Sequence, residues 1–389
     1  MTGEGSILAS VEFQMSLLMF VSLAGYLIAY RINQSAVVGI ILAGILVGPS
    51  LLSWVTYTDF VSSLAHLGAV VLLFTIGLEF EMKDITRLPY IVIALLGIVL
   101  PWGLGYFTAV LFDFSFDAAV FIGTAVAATS IAITANVLRE MDRLQTPVAK
   151  AIIGAAIIDD ILALILLSIS EGLVSSTLSI ASVVITMAKA LGFIAIGIAM
   201  GKLVFGRLLL RFDTTRVAEK YPEAIFIFAI MIAFLFAMAA EFMGLSAIVG
   251  SFLAGVSFAG IQLKRGDIFR EGAEHLQIIF ASVFFVSLGI LMDLHVIDTG
   301  LIWFILALTA GAIVTKMIGC GLPAKLLHLS KRDSLIVGIG MVPRGEVAMI
   351  VALIGLNQKL IGQDTYAALI LMSLLTTIIP PLVLRRLFT

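Results

Sequence analysis

Charge is what this chain has least of. Only 12% of its 389 residues are Asp, Glu, Lys or Arg, against roughly 25% in a soluble globular domain. Cysteine occurs once, as Cys320, so no intramolecular disulfide can form. The four histidines, His66, His275, His295 and His328, are scattered without ligand spacing, so neither a resident metal nor another cofactor is expected. There is no phosphate-cradling glycine loop and no nucleic-acid signature, which excludes nucleotide chemistry and nucleic-acid partners. No nucleophile–base–orienter set is visible, so an enzyme is not expected. The first apolar segment lacks a preceding basic flank and a small-residue cleavage pattern. It is expected to stay as a first helix.

Apolar sequence fills the space left by charge. The hydrophobic share is 61% and the mean hydropathy is +1.18. This describes an all-α polytopic membrane protein. Polar breaks divide it into thirteen expected transmembrane helices, at 7–30, 36–52, 61–80, 89–112, 117–138, 147–171, 178–206, 223–242, 245–261, 274–292, 299–323, 333–357 and 364–386. With the N-terminus placed outside, nineteen of the 23 basic residues fall in inner loops and Lys359 alone in an outer one. Lys189, Lys316 and Arg344 lie inside spans. Such a split follows the positive-inside rule and sets the C-terminus on the cytoplasmic side. Acidic Glu79, Glu81 and Asp84 join Lys83 and Arg87 at an inner helix end. Asp113, Asp117, Asp293 and Asp298 line the outer side as solvated loop charge. Gly39, Gly44 and Gly48 read as a small-residue packing surface.

The most informative stretch is Ala155-Ala-Ile-Ile-Asp159-Asp160-Ile-Leu-Ala163. Its two carboxylates stand about 15 Å from either end of their apolar run, near the bilayer centre. Each costs roughly 2.5–3.5 kcal/mol there on insertion scales, and the usual reason is an ion or proton path. Successive helical residues point about 100° apart, so Asp159 and Asp160 take different surroundings. Lys316, in the eleventh segment, is the candidate partner for one of them. Such a pair either couples cation and proton binding or only holds helices in register.

Two spans have polar interruptions. Segment five carries Thr124, Thr129, Ser130 and Thr134, whose oxygens either suit a hard alkali cation or serve ordinary helix packing. Segment twelve carries Gly338-Ile-Gly340-Met-Val-Pro343-Arg344-Gly345-Glu346, where proline and glycine weaken the helix. Arg344 and Glu346 either brace that break or touch the ion. Segments four to six and eleven to thirteen lie an odd number of spans apart, the arrangement of an inverted-repeat transporter. Asp159, Asp160 and Glu346 against Lys316 and Arg344 leave one negative charge over, a seat for one cation, with Lys189 expected to face elsewhere.

Ile157-Ile158-Asp159-Asp160, Thr129-Ser130 with Thr134, Lys316 and Gly340-Met-Val-Pro343-Arg344-Gly345-Glu346 together resemble the sodium/proton antiporters of the cation:proton antiporter superfamily, nearest to its NapA-type branch. The resemblance implies an NhaA/NapA-like fold with two discontinuous crossing helices. It implies a moving core (89–171 and 299–387), a dimerisation scaffold (1–80 and 223–292) and a linker helix (178–206). It implies that Asp160, with Thr129 and Ser130, binds Na+ or a proton and that Asp159 pairs with Lys316. It further implies electrogenic exchange, a homodimer and a prokaryotic inner membrane. The expected partners are therefore monovalent cations, protons, lipid and a second copy of the chain. Alternatives are a K+/H+ antiporter, a cation channel and a regulatory membrane sensor.

Overall fold

The computed structural model describes residues 10–80, 87–174, 180–264, 266–293, 295 and 299–388. Glu81, Lys83, Asp84, Arg265 and Asp298 fall outside these residues, as does the side chain of Glu346. Every regular element among the described residues is helical. In chain order the helices are α1 (Val11–Ile32), α2 (Ala36–Val47), α3 (Asp59–Gly77), α4 (Leu88–Leu111), α5 (Phe116–Ala127), α6 (Ile131–Glu140), α7 (Pro147–Val174) and α8 (Ile180–Met200). They continue as α9 (Gly206–Asp213), α10 (Arg216–Lys220), α11 (Glu223–Phe242), α12 (Ala247–Phe258), α13 (Gly266–Ile290), α14 (Ile302–Ala324), α15 (Lys331–Gly340), α16 (Glu346–Asn357) and α17 (Gln363–Phe388).

Among the described residues, ten helical stretches are long and apolar enough to cross a membrane, and three shorter apolar helices, Ala36–Val47, Ala247–Phe258 and Val347–Asn357, accompany them. Boundaries differ from expectation where local chemistry intervenes. The seventh segment runs on from α8 through a π-helical turn (Gly201–Phe205) into α9. The tenth begins earlier than expected, at Gly266. The second is shortened because Gly48 ends α2 in an extended conformation.

The helices pack in two sets. In one, α2 lies on α1 and α13, α3 on α12 and α13, and α11 on α12. In the other, α4 lies on α5, α7 and α14, α14 on α15 and α17, and α16 on α5 and α17. The first set rests on glycine. A Cβ on Gly44 of α2 would stand 2.3 Å from the Val286 carbonyl oxygen, and one on Gly289 would stand 2.3 Å from that of Ile41. Only bare backbone permits that approach.

These contacts occur twice. The run Ser35-Ala-Val-Val-Gly-Ile-Ile-Leu-Ala-Gly44 returns as Ser246-Ala-Ile-Val-Gly-Ser-Phe-Leu-Ala-Gly255. Both serines cap their helices, Ser35 accepting from Val37 N and Ser246 from Ile248 N. A Cβ on Gly39 would meet the Gly25 carbonyl oxygen at 2.2 Å, and one on Gly250 that of Phe236 at 2.2 Å. A Cβ on Gly255 would meet the Phe74 carbonyl oxygen at 2.2 Å, as Gly44 meets that of Val286. Helices α2 and α12 are therefore repeated in sequence, and the contacts they make to α1 and α13 and to α11 and α3 are repeated with them.

Candidate functional site

Helix α7 carries both aspartates into the interior. Asp159 is wholly buried and Asp160 is 6% exposed. Lys316 arrives from α14, also wholly buried, and its Nζ donates to Asp159 Oδ1 at 2.8 Å. Asp159 Oδ2 is buried without a hydrogen-bond partner. One hydrogen bond between two desolvated charges is little support for a buried pair, whose desolvation cost is large. The pair is therefore stable only while both charges stay together.

The two interrupted spans meet beside α7. Helix α5 stops at Ala127, residues 128–130 are non-helical, and α6 resumes at Ile131. Helix α15 stops at Gly340 and α16 begins at Glu346. Each break leaves backbone groups without intrahelical partners. They satisfy one another: Ser130 N donates to the Pro343 carbonyl at 2.8 Å, and Thr134 Oγ1 to the Gly340 carbonyl at 2.6 Å. A Cβ on Gly345 would stand 2.6 Å from Ser130 Oγ, so the second break needs a glycine to fit against the first.

Arg344 lies in the second break and is wholly buried. Its Nε and Nη2 donate to the Val126 carbonyl at 3.1 and 3.0 Å, Nη2 also to Ala312 at 3.2 Å, and Nη1 to Val342. A cation on the last carbonyls of α5 also opposes the negative end of that helix dipole. The Arg344 carbonyl in turn accepts from Thr377 Oγ1 at 2.6 Å. The four guanidinium bonds all run to backbone carbonyls, those of Val126, Val342 and Ala312. The Ser130 side chain makes no capping hydrogen bond to α6, and Gly345, which precedes α16, has no side chain to make one.

Thr129 Oγ1 is buried without a hydrogen-bond partner, and Ser130 is buried next to it. Thr124, by contrast, is taken up in packing: its hydroxyl donates to the Val120 carbonyl and lies 2.7 Å from Ser170 Oγ. Lys189 is exposed on α8, along an apolar groove with Phe193, Ile196, Leu235 and Phe236 that neither aspartate lines. Among the described residues no group of three or more His, Cys, Asp or Glu is placed to hold a metal. His66 and His295 sit near the surface, 3.5 Å from Glu241 and 3.1 Å from Asp293.

A cavity of ≈ 550 Å³ opens between the two helix sets. Leu164 and Leu167 of α7 line it, with His66, Glu241, Phe284 and Val347. Leu164 is one helical turn from Asp160. At the other end of α6 the sets are clasped by polar groups. Glu140 Oε2 accepts from Ser35 Oγ at 2.6 Å and from Ala36 N at 3.0 Å, capping α2 from outside. Arg139 Nε lies 3.2 Å from Glu79 Oε1, and Arg385 donates to Asn33 Oδ1 at 3.0 Å. Sequence reasoning passed over Glu140. Its signal was a glutamate at the end of an apolar helix, which looks like interfacial charge.

Breaks that meet back to back beside a buried acid pair and lysine define an ion-translocating helical membrane protein. The chain belongs to the transmembrane sodium/hydrogen exchanger family, whose model matches residues 18–389. Members of that family are transporters, not enzymes. The chain is 34% identical over 381 residues to the Na(+)/H(+)-K(+) antiporter GerN of Bacillus cereus, covering 97% of this chain and 96% of the relative. It is 32% identical to a Na(+)/H(+) antiporter of Enterococcus hirae, covering 95% and 96%. The fold matches that of the sodium proton antiporter MjNhaP1 from Methanocaldococcus jannaschii with a TM-score of 0.67, at 17% identity and 95% coverage of each chain.

Proposed function

We propose that this protein exchanges Na+ (or Li+) for H+ across a prokaryotic cell membrane by alternating access, moving net charge in each cycle. The observation that carries this reading is Asp160, slightly exposed beside the fully buried Lys316–Asp159 pair where two helix breaks meet. In this reading Asp160 holds either the cation or a proton, and loading by one displaces the other. Thr129 and Ser130 supply neutral oxygens, a role supported by the unpartnered Thr129 hydroxyl. Asp159 and Lys316 separate when the site loads, which makes the exchange electrogenic.

The packing supports a core of 89–171 and 299–387 moving against a scaffold of 1–80 and 223–292, linked by 178–206. The doubled glycine contacts support inverted repeats and a total of thirteen spans with the N-terminus outside. The exposed apolar faces of α1 and α11, among them Phe20, Leu27, Ile227 and Met231, need lipid or a second copy, consistent with a homodimer. Potassium is the second reading, favoured by the likeness to GerN.

The test is a pH dye trapped in proteoliposomes, challenged with sodium, lithium or potassium. Sodium should drive proton movement in the wild type, and Asp160→Asn should abolish it. Full activity in that variant would sink the assignment. A larger response to potassium would move the reading to K+/H+ exchange, and current without proton movement would make the protein a channel.

A further inference from the structure

Cys320 lies one turn beyond Lys316 on α14 and is wholly buried. Its thiol faces α4, where Sγ donates a long hydrogen bond to the Ile93 carbonyl at 3.7 Å. Beside it on α4 is Gly97. A Cβ on Gly97 would stand 2.5 Å from Cys320 Sγ, 3.6 Å from Lys316 Nζ and 3.9 Å from Asp159 Oδ1. The first separation is one that real Cβ atoms essentially never show, while the other two are ordinary contacts. A Cβ on Gly319 of α14 would likewise meet the Leu96 carbonyl oxygen at 2.6 Å. Helices α4 and α14 thus touch almost backbone to backbone at the level of the ion pair. The thiol fills the space that a methyl on Gly97 would take.

We propose that Gly97 and Cys320 are positioning residues for the Lys316–Asp159 pair, a size-matched floor that sets where the ammonium sits and leaves Asp159 as its acceptor. The proposal rests on the reading of that pair as part of the exchange mechanism. Glycine brings no side-chain acceptor and a thiol only a weak one. The Ile93 carbonyl on that side is already covered by Sγ. Cys320 is short and rooted four residues from Lys316, so pressure on its sulfur displaces the helix that carries the lysine. Interiors this close-packed transmit such a push rather than absorbing it.

The steric match makes the test a rescue. Wild type, Gly97→Ala, Cys320→Ala and the double variant are compared in proteoliposomes for sodium-driven proton movement, as a function of pH and of imposed membrane potential. Gly97→Ala should slow exchange by about tenfold and displace the pH profile, whereas Cys320→Ala, which opens the floor instead of crowding it, should slow exchange by about threefold and displace the profile less. Removing sulfur leaves the new methyl only its ordinary neighbours. In the double variant the methyl takes the place of the sulfur, so exchange should return to within about twofold of wild type, with the wild-type profile restored. Wild-type behaviour of Gly97→Ala, or a double variant no better than it, would overturn the proposal. If Gly97→Ala does not assemble in the membrane, the double variant alone decides, by recovering or failing to recover both assembly and profile. A wild type that moves no protons with any alkali cation would instead overturn the exchange reading. The thermal melting of the four proteins would then still report the steric pairing.

Discussion

Lys316 and Asp159 share one hydrogen bond of 2.8 Å, and neither has any exposure. Removing one charge strands the other. Lys316→Gln is expected to lower stability by on the order of 3 kcal/mol, because breaking a buried pair leaves an uncompensated charge. Adding Asp159→Asn should give back most of that loss, since two neutral amides carry no such penalty. Melting temperatures of the two singles and the double in detergent check this as a double-mutant cycle; additive losses would count against the pairing. These residues were legible in the sequence because charge inside an apolar run is costly wherever the chain folds. Gly97 and Cys320 were not. A glycine and a lone cysteine look like general packing residues, and only the crossing of α4 and α14 brings them under the lysine.

The short helices α2 and α12 each rest on two glycines against a neighbour's carbonyl oxygens. Gly44→Ala and Gly255→Ala place a methyl 2.3 Å from the Val286 oxygen and 2.2 Å from that of Phe74. Each should cost about 1–3 kcal/mol, as overpacking does. The repeat adds a sharper expectation, that the two losses are similar. Thermal unfolding of both variants measures it, and a loss at one position alone would argue that the two contacts are not equivalent. The repeat was present in the sequence as Ser35–Gly44 and Ser246–Gly255. Thr129-Ser130 faces Pro343-Arg344 across the site, and these opposite breaks do different chemistry, so their residues differ. The packing helices carry the same steric constraint twice and keep the same residues.

Across the whole molecule, the polar clasp joins the two helix sets that the exchange reading requires to move past each other. Ser35 Oγ and Glu140 Oε2 are 2.6 Å apart. Ser35→Cys and Glu140→Cys together, joined by a short bifunctional thiol reagent, should arrest sodium-driven proton movement, and a reductant that cleaves the link should restore it. The native Cys320 is wholly buried and is not expected to react. Undiminished exchange in the linked protein would mean that these two surfaces never part during transport. That the chain is all-helical with long apolar spans, and that two stretches are broken, was legible because apolar length and helix-weakening residues are local properties. Which helices pack together, and that Glu140 reaches across to cap α2, depend on contacts between residues far apart in the chain.

Helix α6 runs ten residues from the break at Ser130 to Glu140. That makes it a stiff arm about 15 Å long. With its pivot at the break, a tilt of roughly 10° carries the far end about 2.6 Å sideways. Hydrogen bonds tolerate only a few tenths of an ångström beyond about 3 Å. A rearrangement at Ser130 too small to see as a change of fold is therefore magnified, over the length of a single helix, into the loss of every bond Glu140 makes to α2.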